Sequence, residues 1–197
     1  MYSIDTPNLP SRIRHHRHSV QFYGDESKFL TDLGRYVGAA LGHGDSAVVI
    51  ATHAHRAELK KRLHGNGFDT AYPRLKRRYI ELDAAHTLSQ FMVDGLPDPA
   101  SFSEIIARVL VRARVAAEGE NPKVVAFGEM VALLWAQGSA EAAVRLERLW
   151  NDLAHTNSFS LHCAYPRAAF APDHEDQFLK ICAEHSQVIS SDDELVH

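Results

Sequence analysis

SAVVIAT, residues 46–52, is apolar at even and odd positions alike. A strand sends alternate side chains to opposite faces of its sheet, so a run that is apolar on both faces needs cover on both. That is the environment of an inner strand in a parallel sheet. KVVAF, residues 123–127, has the same character, and SVQFY (19–23), RRYIELD (77–83) and FSLHCAYP (159–166) complete five strand candidates. Helical spacing fills the intervals. Phe29, Leu30, Leu33, Val37 and Leu41 share one stripe that ends at Gly42, a basic helix spans 53–64, and Asp83 is placed to cap a helix over 84–92. DGLPDPAS (94–101) reads as a loop whose Asp98-Pro99 pair opens a long helix through Ala117. MVALLW (130–135) reads as a turn, Ser139 opens a helix with Ala142, Leu146, Leu149 and Leu153 on one side, and 174–189 reads as a closing helix. Strands alternating with helices predict an α/β fold of three layers, a mainly parallel sheet flanked by helices.

The chain has 197 residues, 45% of them hydrophobic. That length predicts a single domain over 18–190, with a flexible arm at 1–17 and a tail at 191–197. A formal net charge of -4 supplies no broad positive field, which argues against direct nucleic-acid or membrane-surface binding. The first 17 residues lack the apolar segment of a secretory signal, and no run of about 18 apolar residues exists to span a membrane. A soluble, cytoplasmic protein is expected. Cys163 and Cys182 fit neither a zinc ribbon nor a C-x-x-C pair, and thirteen histidines form no H-E-x-x-H motif. Surface or capping roles are therefore expected for the histidines, with no metal and no cofactor. G-x-S-x-G is absent, and RLKRR (74–78) reads as a solvated approach to a strand.

In parallel sheets ligands bind beyond the carboxyl ends of the strands. After the first strand comes YGDESKF (23–29), which has Gly24 and Lys28 but lacks the other glycines and the hydroxyl of a phosphate loop, and adds Asp25 and Glu26. Glu129 ends the buried run VVAF at such an edge. It reads either as a helix cap or as the polar anchor of a pocket walled by Met130 and Trp135.

Six motifs in order, HSVQFY, LDAAHTLSQFMVDGLPD, FGEMVALLWAQG, LERLWNDLA, LHCAYP and ICAEHSQVI, resemble the MEDS sensory domain of methanogen and methylotroph signalling proteins, including the regulator that responds to dichloromethane. The resemblance spans about residues 18–189. It implies a RecA/KaiC-like fold without a phosphate loop, and a non-enzymatic sensor of small, hydrocarbon-derived ligands. It also implies a protein partner such as a histidine kinase or a transcription regulator. A chain ending at His197 leaves no room for either output domain, so signalling through a separate polypeptide is expected, with a homodimer left open. Carried over by motif, His18, Gln21, Tyr23, Asp83, Glu129, Trp135, Trp150, Tyr165 and His185 are the positions of interest. The ligand set expected is His18, Gln21, Tyr23, Glu129, Met130, Trp135, Tyr165 and His185. The alternative is a divergent nucleotide-binding protein or ATPase in which Glu129 activates water.

Overall fold

A computed structural model describes residues 17–118, 121–170 and 175–189. Apart from Arg17, the expected arm lies outside the described residues, as does the tail. Six strands form one sheet in the order β3-β2-β6-β7-β1-β8, from β1 (His18–Tyr23), β2 (Ser46–Ala51), β3 (Tyr79–Asp83), β6 (Val124–Gly128), β7 (Ser160–Pro166) and β8 (Gln187–Ile189). Every neighbouring pair is parallel. The two-sided strands lie where their composition requires. Val48, Val49, Ile50, Val124, Val125, Ala126, Leu161 and Cys163 are all buried.

The alternation of side chains divides the core. Val49, Val125 and Phe127 face α1 (Glu26–Gly42) and α2 (His53–Gly65) through Phe29, Leu33 and Leu59. Val20, Ile50, Ala126 and Cys163 face the other layer, which contains α5 (Pro99–Ala116), α6 (Met130–Ala136), α7 (Ala140–Thr156) and α8 (Glu175–Ala183). Asp83 and Asp98 cap α4 (Ala84–Ser89) and α5 as their sequence positions suggest, accepting from the amides of His86 and Ser101 at 2.9 Å each.

Four local expectations are corrected. Residues 73–78 form a short helix, α3 (Pro73–Arg78), because Pro73 presets the first helical residue, and β3 starts only at Tyr79. The MVALLW stretch is the helix α6, apolar all round because it is wedged within the core. Within the expected loop, Asp94 and Gly95 adopt positive φ angles of 49° and 78° and turn a small hairpin, β4 (Met92–Val93) with β5 (Leu96–Pro97). The closing helix stops at Ala183. Ser186 then donates its amide to His18 O at 2.8 Å, and β8 joins the edge of the sheet beside β1.

Arg78, at the end of α3, is buried, against the expectation of a solvated run. Its Nη1 donates to Leu41 O at 2.8 Å and Asp45 O at 3.0 Å, while Asp45 Oδ1 accepts from the Lys123 amide at 2.8 Å. These bonds join the α1–β2 turn to α3 and to the start of β6. Arg78→Ala removes the guanidinium bonds to both carbonyls, of which Leu41 O keeps the Gly44 amide at 3.2 Å, and is expected to lower the unfolding free energy by about 2–3 kcal/mol in urea denaturation. A loss below about 0.5 kcal/mol would show that the joint contributes nothing.

Candidate functional site

The expected site residues divide among four places. At the carboxyl ends of the strands, Glu129 follows β6 in the N-cap position of α6, but its side chain caps nothing. Its Oε2 accepts from the Thr52 amide at 2.7 Å, and its Oε1 lies 2.6 Å from His55 Nδ1. His55 Nε2 in turn meets Glu26 Oε1 at 2.7 Å. The carboxylate thus latches β6 to the start of α2. Contact with Glu129 raises the pKa of His55 despite the opposing effect of burial, and Glu26 adds to the rise. Tyr23 stacks on Phe29 at 4.3 Å, and burial followed by the charges of Glu129 and Glu26 pushes its hydroxyl pKa up. Where a phosphate loop would cradle an anion, Asp25 caps α1 by accepting from the Lys28 amide at 2.9 Å.

Met130 and Trp135 belong to the packed core. Met130 is fully buried, and Trp135 donates Nε1 to Ala169 O at 2.8 Å with its ring 4.4 Å from that of Phe170. Gln21 lies on the α1 side of the sheet, where its Oε1 is 3.3 Å from His162 Nε2 and Ser19 Oγ is 3.0 Å from His162 Nδ1. Burial lowers the pKa of His162 to about 3, with His185 and His18 adding to the effect, so this ring is neutral.

The remaining three, His18, Tyr165 and His185, converge on the opposite face beneath α7, and they converge on Glu147. This carboxylate has no exposed surface. Tyr165 Oη donates to its Oε1 at 2.7 Å, and Cys163 Sγ donates to its Oε2 at 3.4 Å. His18 Nε2 is 3.3 Å from Oε2, and His185 Nε2 is 3.5 Å from Oε1. Burial alone would raise the carboxyl pKa, yet the adjoining His185 and His18 hold it below the ordinary range. Burial would lower the pKa of His185, and Glu147 reverses that and raises it. Burial, reinforced by Glu147, pushes the Cys163 thiol and the Tyr165 hydroxyl well up.

Beside this cluster opens a cavity of about 420 Å³. Trp150, Phe159 and Leu161 give it apolar walls, and His18, Asn151 and His185 bring polar groups to it. It lies by the amino ends of β1 and β7, away from the edge where Glu129 stands.

Residues 17–183 match the family model described as MEDS, the MEthanogen/methylotroph, DcmR Sensory domain. The chain belongs to the MEDS family. No curated protein matches it. The match takes in every strand of the sheet except β8, both halves of the core, and every member of the buried cluster except His185. No helix among the described residues of this MEDS domain is long and apolar enough to cross a membrane.

Sequence reading did not single out Glu147, Asn151, Cys163 or His55 as site residues. Glu147 carried a usable signal. It falls in the series Ala143, Glu147, Trp150 and Ala154, where helical spacing calls for an apolar side chain, and a carboxylate there must find partners indoors. His55 carried only its place just after a strand, because the packing of α2 is what brings it between two carboxylates.

The raised pKa of His55 fixes a sign. Its ion pairs contribute stability that is complete below the ordinary histidine pKa of about 6.5 and is lost as pH rises through the higher folded value. The stability difference between wild type and His55→Gln is therefore expected to shrink from about pH 6 to about pH 9. Urea denaturation of both proteins across that range checks this, and a constant difference would contradict it.

Proposed function

We propose that this MEDS domain is a non-enzymatic sensor that takes a small, mostly apolar ligand into the cavity beside α7 and passes the signal to a protein partner. The carrying observation is the cavity itself. At about 420 Å³, with aromatic and aliphatic walls and polar groups from His18, Asn151 and His185 among its lining, it has the character of a small-molecule site. Trp150 lines it, and His18, Asn151 and His185 bring the polar groups that a ligand oxygen would meet. A hydrocarbon derivative carrying one oxygen or halogen fits this chemistry.

The route of the signal follows from what else borders the cavity. Glu184, His185 and Ser186 line it, and they form the link from α8 to the edge strand β8. An occupant touching that link changes how firmly β8 is held against β1. A histidine kinase or a transcription regulator that reads this edge would then sense the ligand. A kinship with the RecA/KaiC-like ATPases is part of the same reading, supported by the parallel sheet and by a β1–α1 turn where Asp25 already takes the place of an anion.

A panel of short alcohols, ketones and haloalkanes tested by thermal shift on the full chain is expected to give saturable stabilisation by at least one class. Ala154→Phe, which places a ring in the cavity, is expected to remove that response while the protein stays folded. Binding that is unchanged in Ala154→Phe would move the ligand elsewhere. Magnesium-dependent ATP hydrolysis that disappears in Glu129→Gln would replace the sensory reading with an enzymatic one.

A further inference from the structure

We infer that His18, Glu147, Cys163 and His185 form a binding site for one divalent transition-metal ion, with zinc the best fit. One nitrogen, oxygen or sulfur atom from each lies within 4.8 Å of the corresponding atoms of the others. With Glu147 Oε2 as the carboxylate donor, three separations are 3.3 Å (to His18 Nε2), 3.4 Å (to Cys163 Sγ) and 3.5 Å (Cys163 Sγ to His18 Nε2), and His185 Nε2 lies 3.5 Å from the other oxygen, Oε1. A tetrahedron built on zinc bonds of about 2.0–2.3 Å has edges of about 3.3–3.8 Å. The His18, Glu147 and Cys163 donors are therefore already spaced as an ion would space them, and His185 lies within 4.8 Å of each.

The second observation is the hydrogen bonding behind the two imidazoles. Asn151 donates Nδ2 to Glu184 O at 2.9 Å, which turns its Oδ1 toward His18 Nδ1 at 2.8 Å. An amide oxygen can only accept, so His18 Nδ1 carries the proton. His185 Nδ1 likewise donates to Ile181 O at 2.6 Å. Both rings, when neutral, present Nε2 lone pairs to the cluster. His185 Nε2 is buried on a side chain with no exposed surface, and it has no hydrogen-bond partner among the described residues. Lone pairs from two imidazoles, a carboxylate and a sulfur pointing at one spot repel one another unless protons or a metal ion lie between them, and one metal ion can answer all four at once. Outer hydrogen bonds from each ring to an oxygen are the arrangement that orients histidine ligands.

Charge agrees with this assignment. A divalent ion with one carboxylate, one thiolate and two neutral imidazoles sums to zero, which suits a site closed to water. The thiol proton of Cys163 leaves as the metal–sulfur bond forms, and no electron is transferred. Mixed nitrogen, sulfur and oxygen donors favour zinc over magnesium or calcium. Tyr165, donating to Glu147 Oε1, is a positioning residue that orients the carboxylate. The ligands come from β1, α7, β7 and the link before β8, so the ion would clamp the last helix layer to the sheet edge. This site stands without the sensory reading, since it needs no ligand in the neighbouring cavity.

The test is titration of the full chain with cobalt(II), after treatment with a chelator and confirmation by circular dichroism that it remains folded. One equivalent is expected to bind, with visible bands of a tetrahedral ion and a near-ultraviolet thiolate-to-cobalt band. Cys163→Ser is expected to abolish the thiolate band. Tyr165→Phe is expected to keep the band and weaken binding about 10- to 100-fold. A folded wild-type chain that takes up no cobalt overturns the inference and leaves the cluster as a metal-free ion pair. So does a cobalt spectrum without the thiolate band, or a band that survives in Cys163→Ser. Should the serine variant not fold, the wild-type spectrum decides alone.

Discussion

A charge with no exposed surface has to be matched from several directions, and Glu147 is that charge. Removing a carboxylate from water costs several kcal/mol, so its position on α7 is tolerated only while compensating groups surround it. They come from segments distant in sequence. His18 opens β1, Cys163 and Tyr165 lie on β7, and His185 follows α8. The demand of one side chain therefore joins the first strand to the end of the described chain and places α7 across that half of the sheet. The neighbouring cavity takes polar groups from two of the same residues, His18 and His185.

The two ends of the strands carry different polar chemistry. At the carboxyl ends, where parallel sheets ordinarily bind ligands, the carboxylate of Glu129 is engaged by the Thr52 amide and His55, and Asp25 occupies the helix start where an anion would dock. Toward the amino ends of β1 and β7, Trp150, Phe159 and Leu161 line a cavity that His18, Asn151 and His185 also border. An apolar cavity bordered by a few polar groups gives the reason to look for ligands beneath α7.

Legibility followed the range of the interactions. The apolar runs of β2 and β6 announce cover on both faces whatever surrounds them, and Asp83 and Asp98 announce helix starts through bonds three residues long. Residues 187–189 gave no such announcement, because three residues cannot show a period and their strand exists only by pairing with β1. Arg78 looked solvated because the carbonyls that hold it, those of Leu41 and Asp45, are more than thirty positions away. The site was legible only through family resemblance. That brought His18, Tyr165 and His185 forward without the Glu147 that unites them, while the strand-end position of Glu129 set it with Met130 and Trp135 as one pocket although the fold sends them to a latch and to the core. Metal-site motifs are recognised by short spacing, and ligands at positions 18, 147, 163 and 185 have none.

The most direct test is the anomalous scattering of crystals of the full chain, measured on both sides of the zinc absorption edge. A single anomalous peak within about 2.0–2.3 Å of His18 Nε2, a Glu147 oxygen, Cys163 Sγ and His185 Nε2 is the result this account predicts. No peak in crystals grown with added zinc, with His185 Nε2 instead directly hydrogen-bonded to Glu147, would contradict it.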